Sequence, residues 1–144
     1  MILVDANVLL YAYDSSSPSH APARTWLESV LAGEEEVRFG LVTLLAFVRI
    51  ASNPQVFERP LEARDALAIV QEWLEQPHVA IAEPTPQHWQ TLADVAAGGR
   101  ARGNLVMDAH LVALAREYGA TLVSTDRDFA RFRGVRVVDP LVAG

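Results

Sequence analysis

Met1-Ile2-Leu3-Val4-Asp5-Ala6-Asn7-Val8-Leu9 decides the fold. Its first four residues form an unbroken apolar run that stops at an aspartate. A half-exposed strand would alternate apolar and polar residues. A short continuous run suits a strand buried on both faces, as in a parallel sheet. A short helix is then predicted from Asn7 to Tyr13. Farther along, Ala23, Trp26, Leu27, Val30 and Leu31 repeat at helical spacing over 19–32, and Gly33 ends that helix. Gly40 to Ala51 is mostly apolar and stops at Ser52-Asn53-Pro54, a helix-terminating sequence. Ala66, Leu67, Val70, Trp73 and Leu74 share one face of a predicted helix over 61–74. Further helices are expected over 86–97, 104–118 (closed by Gly119) and, briefly, 127–132. Strands are expected over 79–82, 121–124 and 135–138. Strands alternating with helices imply an α/β sandwich with a mostly parallel central sheet. No repeat or domain-scale linker interrupts the 144 residues, so the sequence reads as one domain over 1–144.

Composition narrows the class. The chain is 51% hydrophobic and 21% charged, which argues against disorder. Apolar stretches such as Leu44–Val48 fall far below the ~18 residues needed to span a bilayer. The start lacks the basic region and cleavage site of a secretory signal. There is no cysteine, hence no disulfide framework and no thiolate metal site. These features lead us to expect a soluble, cytoplasmic protein that does not engage a membrane. The net charge of -6 opposes a nucleic-acid partner, but the charge is unevenly placed. Residues 1–99 carry 13 acids and 5 arginines, whereas residues 100–144 carry 5 acids and 7 arginines. All basic residues are arginine. Codon bias explains that on its own, and the same arginines (Arg100, Arg102, Arg127, Arg131, Arg133, Arg136) offer forked donors for phosphate.

Topology brings three aspartates together. Ligands of an open parallel sheet bind beyond the carboxyl ends of its strands. Asp5 follows the first strand and Asp126 follows the strand over 121–124. Asp108 lies near the start of the helix that leads into that second strand, so it comes to the same edge. Carboxylates this close repel one another and their pKa values rise. A hard divalent cation such as Mg2+ relieves that penalty, accepts oxygen ligands and can activate water against a phosphodiester. Each acid also has a plainer role open to it: Asp5 as a helix cap, Asp108 as a partner of the helix dipole, Asp126 as a turn residue. An unpaired charge at Asp108 is costly in its apolar setting. Around the three, Asn7 is placed to orient Asp5. Asn104 either caps its helix or bonds Asp108, and Ser124 is placed to bond a metal-bound water. Asp128 reads first as a helix N-terminal acid and second as a ligand. His20, His78, His88 and His110 show no metal-ligand spacing. Trp26, Trp73 and Trp89 fall on apolar helix faces and read as core, with base stacking the alternative for one of them.

The segments Val4-Asp5-Ala6-Asn7-Val8-Leu9-Leu10-Tyr11-Ala12, Gly103-Asn104-Leu105-Val106-Met107-Asp108-Ala109-His110-Leu111 and Leu122-Val123-Ser124-Thr125-Asp126-Arg127-Asp128-Phe129 together resemble the PIN domain, specifically VapC-type ribonuclease toxins. The resemblance spans nearly the whole chain. It implies a three-layer α/β/α sandwich, Mg2+ or Mn2+ at Asp5, Asp108 and Asp126, and endoribonuclease activity. It also implies a homodimer and a cognate VapB-like antitoxin. One departure stands out. The family usually has a Glu three residues before an arginine, and here Arg49 is preceded at that position by Ala46. The competing reading is therefore a PIN-like module that binds an antitoxin or RNA without cleaving. A receiver or phosphatase domain also places aspartates at strand ends, but normally needs a lysine, less often an arginine, near the phosphate, and the chain has no lysine.

Overall fold

The computed structural model describes residues 1–142. Five strands form one sheet: β1 (Ile2–Val4), β2 (Val37–Phe39), β3 (Val79–Ile81), β4 (Thr121–Val123) and β5 (Val137–Val138). Their order is β3-β2-β1-β4-β5, and every pairing is parallel. The apolar opening run thus becomes the central strand. Its side chains alternate between faces, and both faces are covered: Ile2 and Val4 join one core, Leu3 the other. The first core lies under α1 (Ala6–Tyr13), α2 (His20–Ala32), α3 (Leu41–Ala51) and α4 (Ala63–Leu74), with Phe39, Phe47 and Trp73 at its centre. The second lies under α5 (His88–Gly98) and α6 (Leu105–Tyr118), with Leu122, Phe129 and Phe132. The result is a three-layer α/β/α sandwich.

Register fixes what happens at one edge. Val4 pairs with Val123, and Val123 with Val138. The residues that follow, Asp5, Ser124 and Asp139, therefore emerge side by side at the carboxyl ends of three adjacent strands. The Asp5 amide donates to the Val123 carbonyl (2.9 Å) and the Ser124 amide to the Val138 carbonyl (3.0 Å), so the ladder runs on past the strands to hold them.

Three sequence expectations are corrected. A strand at Val37–Phe39 was not anticipated, because Arg38 interrupts it and Glu34-Glu35-Glu36 precedes it. Val37 and Phe39 are fully buried, while Arg38 turns aside to donate to the carbonyls of Val37 and His78. Leu67 was placed on the buried face of α4 but is 54% exposed. Trp89 was read as core and is 79% exposed, whereas Trp73 is buried and Trp26 half-buried. The reason lies one residue earlier. His88 occupies the inward position of α5, and its neighbour must point roughly 100° away.

That inward position is polar. Glu117 accepts from the Thr85 amide (3.1 Å), the Thr85 hydroxyl and His88 Nδ1 (2.5 Å), and His88 Nε2 meets His110 Nδ1 at 2.8 Å. Burial pushes the Glu117 carboxyl up, but the bonds from Thr85 and His88 outweigh it and hold it below the usual range. The histidines thus serve as core polar groups that tie α5 to α6.

After α5 the chain packs back without a side chain. Gly99 is buried, and a methyl built on it would overlap the Phe132 ring. We predict that Gly99→Ala destabilises the protein by about 1–3 kcal/mol through overpacking. Gly98→Ala, whose methyl meets open space, serves as the control. Chemical denaturation reads the difference, and equal midpoints for the two variants would contradict the packing described.

Candidate metal centre

Asp5 ends β1 and caps α1. Its Oδ1 accepts from the Ala6 amide (2.8 Å), and its Oδ2 accepts from the Ser124 hydroxyl (2.7 Å). Ser124 is buried, and its Oγ has further work. It accepts from the Asp126 amide (3.0 Å) and from Asn7 Nδ2 (3.4 Å). One hydroxyl therefore joins Asp5, Asn7 and the backbone of Asp126. Asp126 turns its own Oδ1 to the Asp128 amide (2.8 Å), capping a 3-10 helix over Arg127–Arg131. The capping roles read for Asp5 and Asp126 are thus real, and they fix the carboxylates rather than exclude them from the site.

Asp108 arrives from the first turn of α6, half-buried, where the helix dipole favours an anion. Carboxylate oxygens of Asp108, Asp126 and Asp128 all lie within 4.8 Å of one another. The tightest set therefore contains Asp128, which the sequence ranked as a helix N-terminal acid. It is both. The cap at Asp126 turns an Asp-x-Asp sequence back on itself, and that spacing was the available signal. Asp5 sits beside this set, tied to it through Ser124.

Neither expectation for Asn104 is met. Asn104 is exposed, and its side chain neither caps α6 nor bonds Asp108. The amides of Leu105, Val106 and Met107 bond the carbonyls of Arg102, Gly103 and Asn104 instead, so a tight turn already satisfies the helix start. Arg49 is exposed at the last turn of α3 and makes no ion pair among the described residues. Ala46 is half-buried on the same helix and brings no oxygen.

The electrostatics follow from this crowding. Burial, then the charges of Asp126, Asp5 and Asp128, push Asp108 up to about 6, with Arg131 pulling the other way. Burial raises Asp5 as well, and Asp126 adds to it, against the bonds from Ser124 and Ala6. The donor set is all carboxylate oxygen, the ligand type of a hard divalent ion. Asn7 adds an independent sign: its Oδ1 is buried with no hydrogen-bond partner, while its Nδ2 bonds the Ser124 hydroxyl that bonds Asp5. These residues fit a divalent cation.

A stability prediction follows from Asp108. Its folded-state pKa lies above its ordinary value, so the folded chain holds the proton longer and stability falls as pH rises between the two. Without metal at pH 7, Asp108→Asn should therefore melt at a higher temperature than the parent. The gap should close below about pH 4. A parent at least as stable as the variant at pH 7 would contradict the crowding described.

Comparison with known proteins matches this geometry to a family. The family model described as PIN domain matches residues 2–135. Ribonuclease VapC37 of Mycobacterium tuberculosis is 46% identical over 140 residues, covering 97% of each chain. Ribonuclease VapC25 of the same organism is 37% identical, covering 97% of this chain and 99% of that one. Among solved structures, VapBC2 from Rickettsia felis, bound to a DNA fragment from its promoter, superposes with a TM-score of 0.69 at 17% identity, covering 96% of this chain and 98% of that one. VapC20 of Mycobacterium tuberculosis, a sarcin-ricin loop cleaving toxin, gives 0.67 at 19% identity, covering 94% and 99%. At those identities the solved structures speak to the fold alone. Sequence along nearly its full length, together with fold, shows that the chain belongs to the PIN-domain family, among the VapC proteins.

Proposed function

We propose that the chain is a divalent-metal-dependent endoribonuclease and the toxin of a toxin–antitoxin pair. The observation that carries this is the convergence of Asp108, Asp126 and Asp128 within 4.8 Å, with Asp5 wired beside them through Ser124. Asp5, Asp108 and Asp126 are assigned as the residues that hold Mg2+, or Mn2+ in its place. Asp128 contributes from the rim, and Asn7 and Ser124 orient Asp5. A bound ion supplies Lewis-acid neutralisation of charge at a phosphodiester. The protein's own part is to keep the carboxylates fixed and partly desolvated, so that the field at a scissile phosphate is set before the substrate arrives. Accessible phosphates in single-stranded or looped RNA suit such an open edge.

Relatives named ribonuclease VapC support the activity. Relatives of like fold solved as VapBC complexes support a VapB-like antitoxin as partner. We further assign a homodimer of one-domain subunits acting in the cytoplasm. No helix among the described residues is long and apolar enough to cross a membrane. Ala46 favours a second reading: with one carboxylate fewer than the family usually carries, the chain would bind antitoxin or RNA without cutting.

Cleavage of cellular RNA separates the two. The parent should cut with Mg2+ or Mn2+ and stop with EDTA. Asp126→Asn keeps an oxygen that can cap the 3-10 helix, so its fold is preserved. Both Asp126→Asn and Asp108→Asn should lose at least roughly a hundredfold in rate. No metal-dependent cutting by the parent leaves the binding module, and cutting kept at the parent's rate by both variants overturns the assignment of the acid cluster.

A further inference from the structure

We propose that Arg131 grips a backbone phosphate of the RNA beside the acid cluster, supplying the attraction that a pocket of carboxylates cannot. The inference rests on the ribonuclease reading above and names how an anionic substrate is held at that site.

Arg131 closes the 3-10 helix whose start is capped by Asp126. Such a helix has about three residues per turn, so side chains at i and i+3 eclipse. Asp128 and Arg131 stand in that relation. Asp128 belongs to the carboxylate set, so Arg131 rises on the side of the helix that faces the acids. Its charge reaches Asp108, the acid contributed by a different element.

The state of the guanidinium comes next. Arg131 is exposed, and among the described residues no carboxylate lies within 4.0 Å of it. Its Nη1 donates to the Gly99 carbonyl at 3.3 Å. That carbonyl is held in place by the close packing of Gly99 against Phe132, the residue after Arg131. The side chain is thus tethered at one nitrogen while its remaining N–H groups stay open. A guanidinium in that condition matches two phosphate oxygens in a fork, which a plain ion-pair partner of the acids would not be free to do.

The flank agrees. Arg100 follows Gly99 directly, with a left-handed backbone (φ 52°), and Arg102 is exposed in the same loop. Two further arginines thus follow directly on the carbonyl that Arg131 bonds, and an RNA strand entering from the α5–α6 loop meets positive charge before it meets the acids.

The test uses the full-length protein and a short, fluorescein-labelled, mixed-sequence single-stranded RNA. Binding is measured by anisotropy in EDTA across a salt series, and steady-state cleavage is measured separately with Mn2+. The main variant is Arg131→Gln, whose amide can still donate toward Gly99; Arg131→Ala and Arg131→Lys accompany it. Arg131→Gln and Arg131→Ala should flatten the slope of log affinity against log salt by about 0.7, the value of one lost phosphate contact on a single strand. KM should rise roughly tenfold, with kcat changed far less. Arg131→Lys should recover the slope but only part of the affinity. An unchanged slope in Arg131→Gln, with only the melting temperature of Arg131→Ala lowered, would make Arg131 a loop clasp and overturn the inference. An unchanged slope with tighter Mn2+ binding would make it a counter-charge for the acids and overturn it equally. A parent that neither binds nor cuts RNA would instead defeat the ribonuclease reading itself.

Discussion

The Ser124 hydroxyl holds the site together. It lies buried at the carboxyl end of β4, donates to Asp5 at the end of β1, and accepts from the Asp126 amide and the Asn7 side chain. A strand ladder sets the spacing of backbones but leaves side chains free to turn. This hydroxyl removes that freedom for an acid on one strand and a loop on the next. The same oxygen starts the turn that places Asp126, and Asp126 in turn caps the helix that places Asp128 and Arg131. Each step satisfies a polar group that the crowded edge would otherwise leave orphaned.

What this arrangement costs is electrostatic. Carboxylates from the end of β1, the loop after β4 and the first turn of α6 are gathered at one edge, where burial and neighbouring charge push Asp108 up to about 6 and raise Asp5 as well. The rest of the structure must impose it. Two cores clamp the sheet from either side, and the Glu117–His88–His110 chain locks α5 against the helix that carries Asp108. Strain of this kind is characteristic of functional sites, where stability is given up for a preset field. The divalent ion proposed above would relieve it.

The sequence disclosed the parts governed by strong local patterns. Ile2–Val4 read as a strand buried on both faces from its unbroken apolar run, and Asp5, Asp108 and Asp126 followed to one edge from topology. The parts it hid depend on tertiary context. Val37–Phe39 is three residues long with an arginine in the middle, and neighbouring strands on both sides make it a strand. Trp89 looks outward because His88 finds a carboxylate partner from a helix far along the chain, which no helical period can foretell. Asn104 lost its expected cap because the Gly103 turn already satisfied the amides. For Asp128 the sequence could not separate a helix-start acid from a member of the carboxylate set, because the 3-10 turn presents the same residue type at the same place.

The most direct test of the account is a crystal structure of the protein grown with Mn2+, in which anomalous scattering locates the ion. The expected result is an ion in contact with Asp5, Asp108 and Asp126, with Asp128 bordering it and the Ser124–Asp5 bond intact. An ion bound elsewhere, or Asp5 swung away from Ser124 with no ion at the edge, would contradict it.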